Sequence, residues 1–155
     1  MAKTTDYFKS PIGILKIGIE EECLVELEFV NEKTEPKVKT ECSEKVIKQL
    51  REYFNGTRKE FELPLSFHGT EYQEKVWNAL LTIPYGETCS YKKIAELIDN
   101  PKSVRAVGNA NHKNPICIVI PCHRVIGHNN TLVGYGGGIV RKQALIEHEQ
   151  MVCEN

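Results

Sequence analysis

The 155-residue sequence has no apolar run long enough to cross a membrane, and its first ten residues, MAKTTDYFKS, lack the apolar centre of a secretion signal. Both absences lead us to expect a cytoplasmic protein without membrane association. The six cysteines contain no CxxC pair, so neither a disulfide framework nor a zinc site is expected, and a reducing compartment is the default. Acidic side chains are missing from the whole window Pro101–Ile146, which carries six Lys/Arg together with His112, His123 and His128. In a chain of net charge -1, that window can present a local positive face to a polyanion. Taken alone, it equally fits a solvated run of basic side chains. What remains is ordinary: 41% hydrophobic and 26% charged residues suit a globular chain with one domain or two small ones.

The first part alternates. Leu15, Ile17 and Ile19, then Cys23, Val25, Leu27 and Phe29, predict a hairpin with one buried face around Glu20-Glu21-Glu22. Ser43 is expected to cap a helix carrying Val46, Ile47, Leu50, Tyr53 and Phe54 at helical spacing, with Asn55-Gly56 ending it. Phe61, Leu63 and Leu65 read as one more strand. A boundary at Ser66–Gly69 would separate this small α/β unit (residues 1–66) from the rest (67–155).

The second part opens on Thr70-Glu71-Tyr72-Gln73, a capping box that starts a helix with Val76, Trp77, Leu80 and Leu81 on its apolar side. Ser90 caps a short helix expected to bury Ile94, Leu97 and Ile98. The turn Asp99-Asn100-Pro101-Lys102 leads to another, VRAVGNAN. Two short helices across a tight turn suggest a helix-turn-helix whose second member reads nucleic acid, a weak signal by itself. Ala106 and Gly108 give that second helix a slim face, and Arg105 lies near its start. Ile116–Ile120 reads as a buried strand delivering Pro121-Cys122-His123. A last helix from about Ile139 to Gln150 is expected to turn Val140, Ala144, Leu145 and His148 inward.

The chemistry centres on Cys122. Most buried cysteines are inert small hydrophobes. This one ends an apolar segment, follows a proline, and precedes His123 and Arg124, neighbours that favour the nucleophilic thiolate. Glu149 or Glu147 on the last helix could complete a Cys-His-acid relay. Spacing alone leaves a cysteine hydrolase, a redox thiol and a transferase all open.

The strings RAVGNANHKNP, IPCHRV, GYGGG and LIEHE together resemble the O6-alkylguanine-DNA alkyltransferases, also called methylated-DNA–protein-cysteine methyltransferases. The likeness runs from about Leu65 to Gln150, and its motifs are specific. It implies an α/β (α+β) protein, with a ribonuclease-H-like N-terminal domain and a C-terminal helix-turn-helix domain of winged-helix type bearing the active cysteine. It implies a single-turnover enzyme with no cofactor; the sequence offers no match to the zinc ligands of some animal members, so no metal is expected. Cys122 would take an alkyl group from O6 of guanine, His123 would accept the thiol proton through a water, and Glu149 would orient that histidine. Asn114 would steady the active segment, and Tyr91 would assist the departing guanine. Arg105 would fill the stack vacated by a flipped nucleotide, while Tyr135, Gly136 and Val125 would line the guanine pocket. Gly136 stands where some members carry serine, keeping the backbone N–H but not the side chain. Tyr72, Lys92, Asn100, Lys102 and His128 fall where family members touch DNA. The implied partner is double-stranded DNA containing O6-alkylguanine, approached from the minor groove by a monomer that gathers on the nucleoid if the source is prokaryotic; O4-alkylthymine stays open as a second lesion. Non-catalytic alkyltransferase-like lesion binders form the alternative, but they replace the nucleophile, and position 122 here is cysteine.

Overall fold

Leu15, Ile17 and Ile19 are inaccessible or nearly so because they lie on the middle strand of a three-stranded antiparallel sheet. That sheet, in chain order, is β1 (Thr4–Ser10), β2 (Gly13–Glu20) and β3 (Cys23–Val30). The coordinates are a computed structural model that describes residues 3–127, 135 and 137–154. Contacts divide the chain into two compact units, Met1–Phe67 and His68–Asn155.

In the first unit, β2 and β3 turn at Glu21 and Glu22, whose φ values of 50° and 62° are the left-handed pair that a two-residue hairpin requires. Helix α1 (Glu41–Phe54) packs on the sheet through the buried Val46, Leu50 and Tyr53, each contributing about 1.5–3 kcal/mol by leaving water. Its cap differs from the expectation. Thr40, three residues before Ser43, is the N-cap: its hydroxyl accepts from Ser43 N at 3.0 Å, while Ser43 Oγ accepts from Thr40 N at 2.9 Å. Strand β1 escaped the alternation pattern because its inward side chains include Asp6, satisfied by Ser43 Oγ at 2.7 Å rather than by apolar packing. The strand expected at Phe61–Leu65 shrinks to one parallel bridge between Leu24 and Leu65. Pro64, with no N–H to give, interrupts any longer ladder.

The second unit begins as its capping box predicts, with α2 (Glu71–Leu80) capped by Thr70 and Gln73. Trp77 donates through Nε1 to Ala110 O at 2.9 Å, tying α2 to α4 (Val104–His112). Helix α3 (Tyr91–Leu97) is capped by Ser90 and joined to α4 by the turn around Asp99-Asn100. Leu97 is half exposed, contrary to expectation; Ala95 is buried beside Ile94 instead. Two-residue strands β4 (Cys89–Ser90) and β5 (Val125–Ile126) pair in parallel. That pairing sets the start of α3 beside the segment just before Val125.

Two further expectations are corrected. Ile116–Ile120 is buried but is not a strand: Ile120 N donates back to Ile116 O at 3.0 Å, and Ile118 takes φ 69°. A β-branched residue in the left-handed region costs about 1–3 kcal/mol, which the surrounding packing has to offset. Cys122–Arg124 then forms a single turn of 3-10 helix. The final helix, α5 (Ile139–Glu154), leaves Val140 83% exposed and buries Lys142, Leu145 and Glu149, with Ala144 and His148 only half covered. Among the described residues no helix is long and apolar enough to cross a membrane, and no group of three His, Cys, Asp or Glu is placed to hold a metal ion.

Candidate functional site

Three elements converge on Cys122. The 3-10 turn supplies Cys122, His123 and Arg124, all buried; α5 supplies Lys142 and Glu149; the start of α3 supplies Tyr91. Residues three and seven apart share a helix face, so Lys142, Leu145 and Glu149 form one stripe directed inward.

His123 Nε2 lies 2.6 Å from Glu149 Oε2. An ionised carboxylate can only accept, so Nε2 carries the hydrogen and Nδ1 is left with a lone pair. Nδ1 is buried and has no hydrogen-bond partner among the described residues. Burial lowers the His123 pKa, against the pull of Glu149, so the ring rests neutral. For Glu149 burial acts upward, but the hydrogen bond from His123, with the hydrogen bonds and charge of Arg124, outweighs it and holds the carboxyl well below the usual carboxylate range. Glu147 is exposed and accepts from Gln143 Nε2 at 2.9 Å, away from this pair.

Cys122 itself is a free thiol, as are the other five cysteines. Burial pushes its pKa up to about 11, partly offset by the Asn114 amide and the Lys142 ammonium. Asn114 also braces the backbone here: Nδ2 donates to Ile120 O at 2.8 Å, and Oδ1 accepts from Ile116 N at 3.0 Å. Asn111 adds a longer bond from Nδ2 to Cys122 O at 3.4 Å. The expectation that Arg124 supports the thiolate is not met, because its guanidinium is spent on Glu149 through Nε at 2.8 Å and Nη2 at 3.1 Å.

The cation that acts on Cys122 is Lys142, which sequence reasoning left among the surface basic residues. Its side chain is inaccessible, its Nζ donates to Tyr91 Oη at 3.5 Å, and burial brings its pKa down to about 8. The signal was present: Lys142 sits three residues before the buried Leu145 and seven before Glu149. Burial also raises the pKa of Tyr91, whose neighbours include Cys122 and Asn111.

The remaining candidates spread over two regions. Tyr135 and Val125 are buried, Val125 within β5. Lys92, Asn100, Lys102 and Arg105 are exposed along α3, its turn and the first turn of α4. Tyr72, on α2, donates from its hydroxyl to Ser103 Oγ at 3.0 Å and so braces the start of α4. A Cβ on Gly108 would meet only Tyr91 Cε1, at 4.0 Å, so packing within the unit does not demand glycine there. His128 and Gly136 lie outside the described residues.

Residues 71–151 match the family description "6-O-methylguanine DNA methyltransferase, DNA binding domain", and residues 4–67 match the ribonuclease-like domain of the same family. The chain belongs to the 6-O-methylguanine DNA methyltransferase family. It is 47% identical over 146 residues to a methylated-DNA–protein-cysteine methyltransferase of Mycobacterium leprae, covering 91% of this chain and 88% of that one. A protein of the same description from Methanosarcina acetivorans is 45% identical over 148 residues, covering 92% and 95%. Among solved structures, Mycobacterium tuberculosis OGT in complex with DNA superposes with a TM-score of 0.89 at 44% identity, over 96% of this chain and 94% of that one. The mixed α/β architecture, with a small sheet domain followed by a helical domain, is that of this family.

Proposed function

We propose that this protein repairs DNA by removing an alkyl group from O6 of guanine in double-stranded DNA and keeping it on Cys122. The observation that carries the reading is a buried thiol followed directly by a buried histidine, whose Nε2 is held by a buried carboxylate at 2.6 Å. It lies in the unit that also presents the exposed Lys92, Asn100, Lys102 and Arg105. In one in-line displacement the sulfur–carbon bond forms as the bond from carbon to O6 breaks. The thiol proton passes to His123 Nδ1 through a water, Glu149 stabilises the resulting imidazolium, and Lys142 balances the developing thiolate. Tyr91 offers its hydroxyl hydrogen to the departing guanine, which takes up the displaced electron pair. With Lys142 donating to its oxygen, that hydroxyl is better disposed to give a proton than to receive one.

The basic turn and α4 would enter the minor groove, where phosphate contacts position the protein without reading sequence. The base must leave the stack to reach a buried thiol. Tyr135, Gly136 and Val125 are assigned to the guanine pocket, and Tyr72 and His128 to the DNA face.

Incubation with a duplex carrying one O6-methylguanine is expected to add a single methyl group to the intact protein mass, mapped to Cys122, with transfer stopping at one per protein. A thioether is a poor leaving group, so product rising past that plateau would refute the scheme. Arg105→Ala should slow repair in duplex DNA by roughly 100-fold, the equivalent of a few kcal/mol of unstacking. Its effect on the reaction with free O6-benzylguanine should be small. Equal loss on both substrates would remove Arg105 from any role in flipping.

A further inference from the structure

We propose that Arg124 is a positioning residue for alkyl transfer, acting through Glu149, and this rests on the reading of Cys122 as the alkyl acceptor. Donors meet both oxygens of the Glu149 carboxylate. Oε2 takes His123 Nε2 at 2.6 Å and Arg124 Nη2 at 3.1 Å; Oε1 takes Arg124 Nε at 2.8 Å and Gly86 N at 3.3 Å. Arg124 is itself anchored, donating from Nη1 to Ile83 O at 2.6 Å, with its guanidinium 5.5 Å from the centre of the Tyr85 ring.

The arrangement has two chemical consequences. First, a fork of two N–H groups fixes the plane of the carboxylate, which only a guanidinium can do. The direction in which Oε2 meets the imidazole is then set, and with it the direction of the bare Nδ1. Second, Arg124 and Glu149 form a neutral pair before reaction, so His123 rests uncharged and able to accept a proton. When the thiol proton arrives, Glu149 is already committed as an anion and stabilises the imidazolium without taking its proton. The turn Ile83–Gly86 is the outer wall of this latch. Gly86 has φ 81°, and a Cβ there would fall 2.5 Å from Cys153 Sγ, so the close approach of its N–H to Glu149 depends on glycine.

The charged and titratable groups facing Glu149 are His123 and Arg124 from the 3-10 turn and Tyr85 from the turn before β4, with Cys153 further along α5 and Lys142 acting on His123. Removing Arg124 takes away a cation, so the Glu149 carboxyl must hold its proton to higher pH. The acid limb of the rate profile should move the same way.

Single-turnover transfer from an O6-methylguanine duplex, followed against pH, tests this in wild type, Arg124→Met, Arg124→Lys, Glu149→Gln and the Arg124→Met/Glu149→Gln double variant. Arg124→Met is expected to lose at least about 10-fold in rate and to shift the acid limb upward, while Arg124→Lys should recover part of the loss. The double variant removes both charges of the Arg124–Glu149 pair, so it keeps the test alive if Arg124→Met folds poorly. It should be no slower than Glu149→Gln alone: without the carboxylate the guanidinium has nothing to orient, and its removal only takes a cation from beside His123. An unchanged pH profile in Arg124→Met, or losses that multiply in the double variant, would overturn the proposal. Failure of wild type to transfer would instead overturn the reading of Cys122.

Discussion

Cys122→Ser is expected to abolish alkyl transfer while leaving a folded protein that binds alkylated duplex. Serine is slightly smaller than cysteine and fits the same buried position, and the hydrogen bonds from Asn111 and Asn114 are made to backbone carbonyls that the substitution keeps. The chemistry does not survive. Even the thiol is held up to about 11 by burial, so at neutral pH roughly one molecule in ten thousand is a thiolate at rest. Reaction therefore depends on proton removal as the alkyl carbon arrives. A hydroxyl starts several units higher, suffers the same burial and is a far weaker nucleophile toward an alkyl carbon, so a neutral imidazole does not activate it enough for the displacement. Single-turnover assays with labelled methyl, beside a DNA-binding titration, would read both halves. Methyl transferred by the serine variant would move the nucleophile to another of the five remaining thiols.

Legibility in the sequence followed the physics of each signal. The α2 cap was readable because Thr70 and Gln73 satisfy backbone groups within four residues of each other, independently of tertiary contacts. The same logic missed the start of α1 by choosing Ser43 over Thr40, although Ser43 proved to be the reciprocal partner in the same box. Apolar periodicity failed wherever the buried face is polar for a reason. Strand β1 turns Asp6 inward to meet Ser43, and α5 turns Lys142 and Glu149 inward while Val140 faces out. Ile116–Ile120 misled differently: five apolar residues show burial but not direction, and the reversal rests on a left-handed Ile118 that no pattern announces. At the site, adjacency in sequence suggested that Arg124 served Cys122. The 3-10 turn separates consecutive side chains around its axis and sends the guanidinium to Glu149 instead.

Lys142→Met should make the protein more stable and a much poorer alkyl acceptor. The Lys142 side chain is inaccessible, and burial lowers its pKa from the ordinary 10.5 to about 8. A shift of that size corresponds to about 3 kcal/mol of destabilisation while the group is charged in both states. The sign follows from proton counts. Below about 8 the lysine is protonated folded and unfolded alike, and the cost is present in full. Between there and 10.5 the unfolded chain binds more proton, so stability rises with pH and the cost is gone once both states are neutral. Methionine keeps the unbranched stem and removes the charge. The variant should thus exceed wild type by up to about 3 kcal/mol near pH 7, with the gap closing above pH 10. Comparing the variants at each pH cancels the titration of groups they share, though Cys122 loses a stabilising cation and its thiol should ionise still less readily. The ammonium is the charge that balances the thiolate and supports Tyr91, so transfer should fall by roughly 100-fold, the scale of one preorganised charge removed from a buried site. Denaturant unfolding at pH 7 and pH 10, beside single-turnover transfer, decides it. A variant less stable than wild type at pH 7 would show that the lysine is not held against an electrostatic cost, and undiminished transfer would remove it from the reaction.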